Sequence, residues 1–454
     1  MSPETDSTRI EPVVIIGAGP IGLAAAAHLA QRGEPFVVLE AEDDAAASVR
    51  VWSHIRLFTP WRYNIDEAAA TLLEETGWVL PIPADACPTG AELVDGYLDP
   101  LARHPRIAPF LHLQHRVRAI ARDERGKLED DRDDELFMVV ADTPSGERIF
   151  QASAVIDASG TWNQPNPMGG NGLPVEGEAH HAAHIRHGVP DIAGAERDRY
   201  LGKRTLVIGS GHSALNSLEA LASLREDDPD TRVLWALRRD GWDEATCEDE
   251  VLTERTLLRR EVWTLIASDE IETHTGVRIA GVEACDEGLV ARTRTGQLPP
   301  VDEFIVATGF RPDWSLTREL RLDLHPVFEC PYALAEIIDP AVAACGTVVP
   351  HGVTRLAHPE TDFYIVGMKS YGRAPTFLLL TGYEQVRSVV CAICGDEAAL
   401  EVRLELPKRG LCSACTAYLD EQAALQSGGC ACDPDDASSD DAMCCDDSLV
   451  SAAI

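Results

Sequence analysis

A strand, a glycine turn, a helix and a second strand closing on an acid follow one another in VVIIGAGPIGLAAAAHLAQRGEPFVVLE, residues 13–40. No other stretch constrains the fold as strongly. Val13 to Ile16 is a short apolar run, suited to a strand buried on both faces. Gly17-Ala18-Gly19-Pro20-Ile21-Gly22 follows as a G-x-G-x-x-G loop. In such a loop the first glycine permits the tight turn, the second lets a pyrophosphate approach the backbone, and the third lets helix and strand pack closely. The alanine-rich segment Leu23 to Gln31 has high helix propensity and stops at Gly33. Its N-terminus offers free N–H groups and partial positive charge to phosphates. Phe36 to Leu39 is the second strand. Glu40 stands where a carboxylate accepts from ribose hydroxyls.

The pattern returns between Lys203 and Arg239. Thr205 to Ile208 predicts a strand, and Gly209-Ser210-Gly211-His212-Ser213-Ala214 is the loop, with alanine in place of the third glycine. A helix to Leu224 and a strand from Val233 to Leu237 follow. That strand ends in Arg238 and Arg239 where the first unit ends in an acid. A carboxylate suits a ribose diol, whereas the planar fork of arginine suits a 2′-phosphate. Two units imply two nucleotides, one like FAD or NAD and the other NADPH. A plain surface charge pair is the competing reading of the two arginines.

At 454 residues the chain is long enough for two or three domains. Its formal net charge of −36 disfavours nucleic acid and anionic membrane surfaces as partners. No run reaches the roughly 18 apolar residues of a membrane span. The polar start MSPETDSTRI lacks the apolar core of a signal peptide, so a cytoplasmic protein is expected. The 13 cysteines are then expected as thiols or metal ligands rather than disulfides.

Between the two units, Ala41–Ser48 looks polar and loose. Arg50 to Trp61 mixes aromatic, basic and polar groups as a pocket around a flat ring does, or as an ordinary loop does. A helix is predicted from Thr89, its N-cap, to Leu101, and a strand from Leu111 to Ala121. Asp123–Glu135 reads as a solvated hairpin tip. Ala154 to Gly160 is a buried strand ending in a small-residue turn, echoed by Val301 to Phe310, and Thr161–Val175 is a connector. His180, His181, His184 and His187 cluster, as metal ligands can, but without cysteine or carboxylate partners they read as a polar loop. Asp362 to Met368 is a further strand, and Tyr371 lies in the loop before a helix from about Tyr383 to Cys394.

Beyond Leu406 the composition turns acidic and cysteine-rich, and a disordered tail is expected. Cys391, Cys394, Cys412 and Cys415 have zinc-ribbon spacing, with core packing the alternative for the first pair. Cys430, Cys432, Cys444 and Cys445 suit a soft thiophilic ion.

The two glycine loops with Glu40 and Arg238, together with Ala158-Ser159-Gly160 and Ala307-Thr308-Gly309, resemble flavoproteins with two dinucleotide-binding domains. Within these the chain resembles flavin-containing monooxygenases, and more narrowly the flavin monooxygenase-like proteins of bacterial arsenic-resistance operons. The resemblance implies an α/β fold of two Rossmann-like domains, the second inserted in the first. It divides the chain into residues 10–165 and 301–408 for FAD, 166–300 for NADPH, and 409–454 as the tail. It places FAD on Gly17, Gly19, Pro20, Gly22 and Glu40, with the Val117 backbone at the adenine. Trp52, Arg56, Tyr371 and the region after Gly367 would then lie near the flavin. NADPH would take Gly209, Gly211, Ser213, Arg238 and Arg239, and the turns at Ala158, Gly160 and Gly309 would be the crossings between domains. The stretch Val175–His180 keeps a glycine and a histidine of the monooxygenase fingerprint but lacks its phenylalanine. The activity implied is NADPH-driven oxygenation, with molecular oxygen, of a small substrate bearing a soft sulfur, nitrogen or trivalent arsenic. A flavin-dependent thiol or disulfide reductase is the alternative, and a zinc- or metalloid-binding tail on such a scaffold is another.

Overall fold

The computed structural model describes residues 11–80, 84–242, 253–341 and 348–404. Strand β1 (Val13–Ile16) is buried along its whole length. Helix α1 (Pro20–Arg32) has proline in its first turn and ends at Gly33, whose left-handed φ of 74° lets its N–H return to the last carbonyls. Strand β2 (Phe36–Leu39) then lies parallel to β1, with Ile16 beside Leu39. The stretch expected to be loose is anchored instead. Ala45 and Ala46 are buried, and the Ala46 N–H donates to the Ala18 carbonyl inside the glycine loop at 2.9 Å.

The single strand expected over Leu111–Ala121 is two strands in two sheets. Gln114 adopts a left-handed φ of 57° and donates its N–H to the Glu42 carbonyl, which breaks the run. β3 (Leu111–His112) therefore edges the first sheet. β4 (Arg116–Arg122) opens an antiparallel sheet with β5 (Phe137–Thr143) and β6 (Gly146–Ala152). The charged connection between β4 and β5 is mostly solvated, but Arg132 is buried there and shares Glu360 with Arg122, at 3.0 and 2.8 Å. β7 (Ala154–Asp157) returns to the first sheet.

The second sheet is built from β8 (Ile185–His187), β9 (Arg204–Ile208), β10 (Arg232–Ala236) and β11 (Ile271–His274). Helices α2 (His212–Asp227) and α3 (Thr253–Ala267) lie between these strands in the chain. A ribbon of β12 (Ile279–Cys285) and β13 (Gly288–Thr293) follows. β14 (Glu303–Val306) pairs with β9 in parallel. A return to the first sheet at residue 301 would cut β14 away from its partner. The chain leaves the second sheet only after Val306, at the Ala307–Gly309 turn. Outgoing and returning segments lie side by side, with Asn166 N–H on the Gly309 carbonyl at 2.9 Å and Arg311 N–H on the Gln164 carbonyl at 3.0 Å.

β15 (Phe363–Ile365) completes the first sheet in the order β15-β7-β1-β2-β3, and the second runs β11-β10-β9-β14-β8; every neighbouring pair in both is parallel. This is the α/β architecture of two Rossmann-like sheets, each with its strand order reversing at the strand that carries the glycine loop. Helix α4 (Leu379–Ile393) starts one turn before the expected Tyr383, because its N-cap is Leu378 and no polar capping residue marks the start. It packs so closely on α1 that a side chain at Gly382 would meet Ile21 at 2.5 Å. No helix among the described residues is long and apolar enough to cross a membrane.

Candidate functional site

The first glycine loop is a cradle by construction. Gly17 has φ 96°, and a Cβ there would meet the Ala158 carbonyl at 2.9 Å. A Cβ at Gly22 would meet the Gly17 carbonyl at 1.9 Å. A Cβ at Gly19 would have nothing within 4 Å, and no side chain caps α1. Glu40 reaches back and accepts the Ala18 and Glu42 N–H groups at 2.7 and 3.1 Å. Burial raises its carboxyl above the ordinary range, and these two amides oppose that rise.

Two further turns close the cradle. Asp157, the last residue of β7, accepts Lys369 Nζ at 2.7 Å, and both side chains are fully buried. Nζ also donates to Ser159 Oγ at 3.1 Å and lies 5.1 Å from the Trp314 ring centre. Gly367, with φ 71°, donates its N–H to Gln385 Oε1 at 2.8 Å, and Gln385 is bonded in turn to His351 at 2.9 Å. Gly160 and Gly309 also take left-handed φ values, 69° and 86°. Val117 lies in β4 at a register shift against β5.

The second loop repeats the geometry with other tethers. Gly209 has φ 132°, a Cβ there would meet the Ala307 carbonyl at 2.2 Å, and the space above Gly211 is open. No side chain caps α2, and Ser213 sits in its first turn. Trp235 Nε1 donates to the Gly209 carbonyl at 2.7 Å. The position matching Glu40 holds Leu237: each N–H bonds the last residue of the next strand, Glu40 to His112 and Leu237 to His274, both at 2.9 Å. Arg238 and Arg239 therefore fall beyond that position and are exposed. Arg238 lies over Gly170, its NH1 3.4 Å from that carbonyl.

The helix N-termini of the two units meet at a mainly apolar cavity of about 350 Å³. Pro20 of α1 and His212 of α2 both line it, with Trp52, Phe58, Phe377 and Arg255 among the other walls. No cysteine and no carboxylate lines it among the described residues. Gly90 makes room for Trp52, whose ring a Cβ there would meet at 2.9 Å; Thr89 and Glu92 hold that turn with a reciprocal capping box. Of the three candidates for the reacting ring, Trp52 and Arg56 line the cavity. Tyr371 does not. It is buried behind Phe377, ring centres 5.2 Å apart, because the turn after Gly367 points it inward. His212, Arg255 and Phe58 are the residues that motif reading missed. Arg255 Nε donates to His212 Nε2 at 2.8 Å, and the His212 ring meets Phe58 edge-on at 5.0 Å. The histidine in G-S-G-H-S-A was visible in the sequence; its partners come from two distant segments.

Among the described residues no group of three or more His, Cys, Asp or Glu is placed to hold a metal ion. His184 pairs with Glu303 at 3.0 Å, and the His180 and His181 rings contact each other. Gly177 in the departed fingerprint has φ 80° and lies where a Cβ would meet the Val282 carbonyl at 2.1 Å, a packing role. Cys391 and Cys394 end α4, while Cys412, Cys415, Cys430, Cys432, Cys444 and Cys445 lie outside the described residues.

Residues 14–328 match the pyridine nucleotide-disulphide oxidoreductase family. The chain belongs to that family. Both glycine loops and both strand-order reversals fall within the matched range. Among curated relatives, a ferredoxin–NADP reductase of Paraburkholderia phymatum is 26% identical over 241 residues, 52% of this chain and 54% of that protein. A probable indole-3-pyruvate monooxygenase of Arabidopsis thaliana is 28% identical over 207 residues, 44% of this chain and 42% of that protein. The chain thus spans about half the length of the curated relatives it matches. Among solved structures, the bacillithiol disulfide reductase of Bacillus cereus aligns with TM-score 0.63 at 19% identity, covering 85% of this chain and 99% of that one. A flavin-containing monooxygenase of Stenotrophomonas maltophilia aligns with TM-score 0.53 at 20% identity, covering 85% and 98%. At these identities the likeness is one of fold.

Proposed function

We propose that the chain binds FAD in the first cradle and NADPH in the second, and acts as an FAD-dependent, NADPH-using monooxygenase-like oxidoreductase on a small soft nucleophile. Sulfur, nitrogen and trivalent arsenic are the candidate centres, and a part in arsenic resistance is the narrowest form of the reading. The observation that carries it is the apolar cavity where the N-termini of α1 and α2 converge with no thiol on its described walls. FAD, when bound, supplies the two-electron chemistry that joins NADPH to dioxygen.

The chain's own residues do the rest. Gly17, Gly19, Pro20 and Gly22 offer backbone and helix N-terminus to one pyrophosphate; Gly209, Gly211 and Ser213 offer the same to the other. Glu40 takes the ribose hydroxyls. Arg238 and Arg239 take the 2′-phosphate, from a position one residue further out than the acid. Val117 meets the adenine through its backbone. The turns at Ala158–Gly160, Ala307–Gly309 and Gly367 shape the crossings and the floor. Trp52, Phe58 and Phe377 exclude water from the cavity, and Arg56 supplies a cation at its wall. In this reading the FAD-binding part comprises residues 10–165 and the chain beyond Val306.

Isotopically labelled dioxygen tests the reading. Label in a sulfur, nitrogen or arsenic product, in step with NADPH consumption, supports it. A pyridine-nucleotide reductase is the second reading, favoured by the family match. Reduction of a disulfide or protein acceptor with no label in any product would establish the reductase instead.

A further inference from the structure

The turn after β15 is held by a network of buried polar groups reaching it from α4 and from the segment before the short helix Val353–Leu356. Gly367 N–H donates to Gln385 Oε1 at 2.8 Å. A backbone N–H only donates, so the amide atom facing it is the oxygen and the other is the NH2 group. That NH2 group donates to Ser370 Oγ and to His351 Nε2, both at 2.9 Å. Ser370 Oγ donates in turn to the Gly367 carbonyl at 2.7 Å. His351 Nε2 is therefore the bare nitrogen of a neutral ring. The ring proton sits on Nδ1, 3.0 Å from the Val349 carbonyl that accepts it. One backbone amide thus fixes every donor and acceptor in the network.

The network bears on the first cradle. Gly367 takes φ 71°, and a Cβ there would meet Ile21 of the glycine loop at 3.1 Å. The segment that carries His351 is pinned to the same helix as Gln385, because Val353 N–H donates to Ser388 Oγ at 2.8 Å. A proton on Nε2 has no acceptor in this arrangement, since it would face the Gln385 NH2 group. Turning the amide over gives the ring an acceptor but sets NH2 against the Gly367 N–H. Either way two buried donors oppose each other, at the cost of a buried group left unsatisfied. The charges nearby are already engaged. Glu384 on α4 pairs with Arg387 at 2.7 Å, and Arg355 pairs with Glu336 at 2.8 Å. The Tyr371 ring centre lies 5.8 Å from that of His351.

We propose that His351 is a positioning residue for the flavin cofactor: the neutral ring orients Gln385, which sets the Gly367 turn against the glycine loop, and a protonated ring releases that turn and weakens the hold on FAD. The proposal rests on the reading that FAD occupies the first cradle. Burial holds His351 below its ordinary range; the Val349 carbonyl and Glu384 oppose that, and Arg355 adds to it. A ring returned to its ordinary range in the released turn takes up a proton more readily than the ring in the network. Retention of FAD is then full above pH 6.5 and lost as pH falls through the lowered value.

The test measures the FAD dissociation constant of the full chain by flavin fluorescence from about pH 8 to about pH 5, in the parent, His351→Gln and His351→Leu. Glutamine can offer a carbonyl oxygen in place of Nε2 and does not titrate. The parent is expected to weaken by up to about tenfold per pH unit below the ordinary histidine range, one proton being taken up per FAD released. His351→Gln should match the parent near pH 8 and lack that acid-dependent loss. His351→Leu leaves the Gln385 NH2 group one acceptor short and should bind FAD about tenfold more weakly at every pH. Equal pH slopes in the parent and His351→Gln overturn the proposal, and so does parent-like affinity in His351→Leu near pH 8. A second readout needs no cofactor. In protein carrying nitrogen-15 histidine, the NMR signals missing from His351→Gln should report a proton on Nδ1 and none on Nε2 near pH 8, and the opposite tautomer overturns the proposal. A parent that shows the expected tautomer yet takes up no FAD at any pH would overturn the cofactor reading, and with it the part given to His351.

Discussion

The two nucleotide cradles share one backbone plan and differ in what holds it. Ala158-Ser159-Gly160 follows β7 and Ala307-Thr308-Gly309 follows β14, yet the strand before the first turn ends in buried Asp157 and the strand before the second in buried Val306. The first loop is tethered by an acid that takes the Ala18 amide. The second is tethered by an indole that takes the Gly209 carbonyl. An acid tether uses up one amide and leaves a carboxylate beside the glycine loop. An indole tether leaves the loop amides untouched and adds no charge. The contrast teaches that the same glycine turn can be fixed by opposite hydrogen-bond polarity, and that the tether, rather than the turn, sets the charge beside the loop.

The largest expected effect separates the third positions of the two loops. Gly22→Val puts carbon into the Gly17 carbonyl, with the Cβ at 1.9 Å, and should cost more than about 4 kcal/mol and yield colourless protein. Ala214→Gly should stay within about 1 kcal/mol of the parent. Flavin absorbance and thermal unfolding check both. Next comes the buried pair. Lys369→Met leaves Asp157 buried without its cation and should cost about 3–5 kcal/mol. Adding Asp157→Val, which gives the first sheet the residue type of the second, should recover most of that loss in urea unfolding.

Arg238→Ala should raise KM for NADPH at least tenfold, the loss of about 1.5–3 kcal/mol expected for a charged hydrogen bond, and leave KM for NADH unchanged. Equal loss with both donors would mean that the arginine serves the loop and not the phosphate.

The smallest effect compares histidines at the two sheet edges. Burial pushes His358, beside Phe363 of β15, down to about 4. Burial also lowers His187 on β8, but Glu178 pulls it back. Between pH 6.5 and about 4 the unfolded chain holds more protons at His358 than the native one, so stability falls as pH falls through that window. His358→Gln should remove more of that slope than His187→Gln, as read from denaturant titrations at several pH values.

What the sequence made legible was local. The glycine loops, the Gly33 stop and the Thr89 cap are each decided within a few residues, and each appears as read. What it hid depends on partners far apart in the chain. Lys369 meets Asp157 across 212 positions, and no periodicity announces such a pair. Apolarity alone carried the second strand to Leu237, whereas the hydrogen bond to His274 makes Leu237 the counterpart of Glu40. Gln114 broke an apparently continuous strand through one left-handed residue, which pattern counting does not see.

The order of strands along the chain also sets an order of assembly. All five strands of the second sheet come from one unbroken stretch, residues 185–306, so that sheet can pair as soon as this stretch leaves the ribosome. The first sheet cannot. Its outer strand β15 and the helix packed on α1 are made after the whole of the second sheet. During synthesis the face of α1 that packs on α4 must therefore wait uncovered until α4 arrives, and a nascent chain stalled before residue 363 would expose it to chaperones.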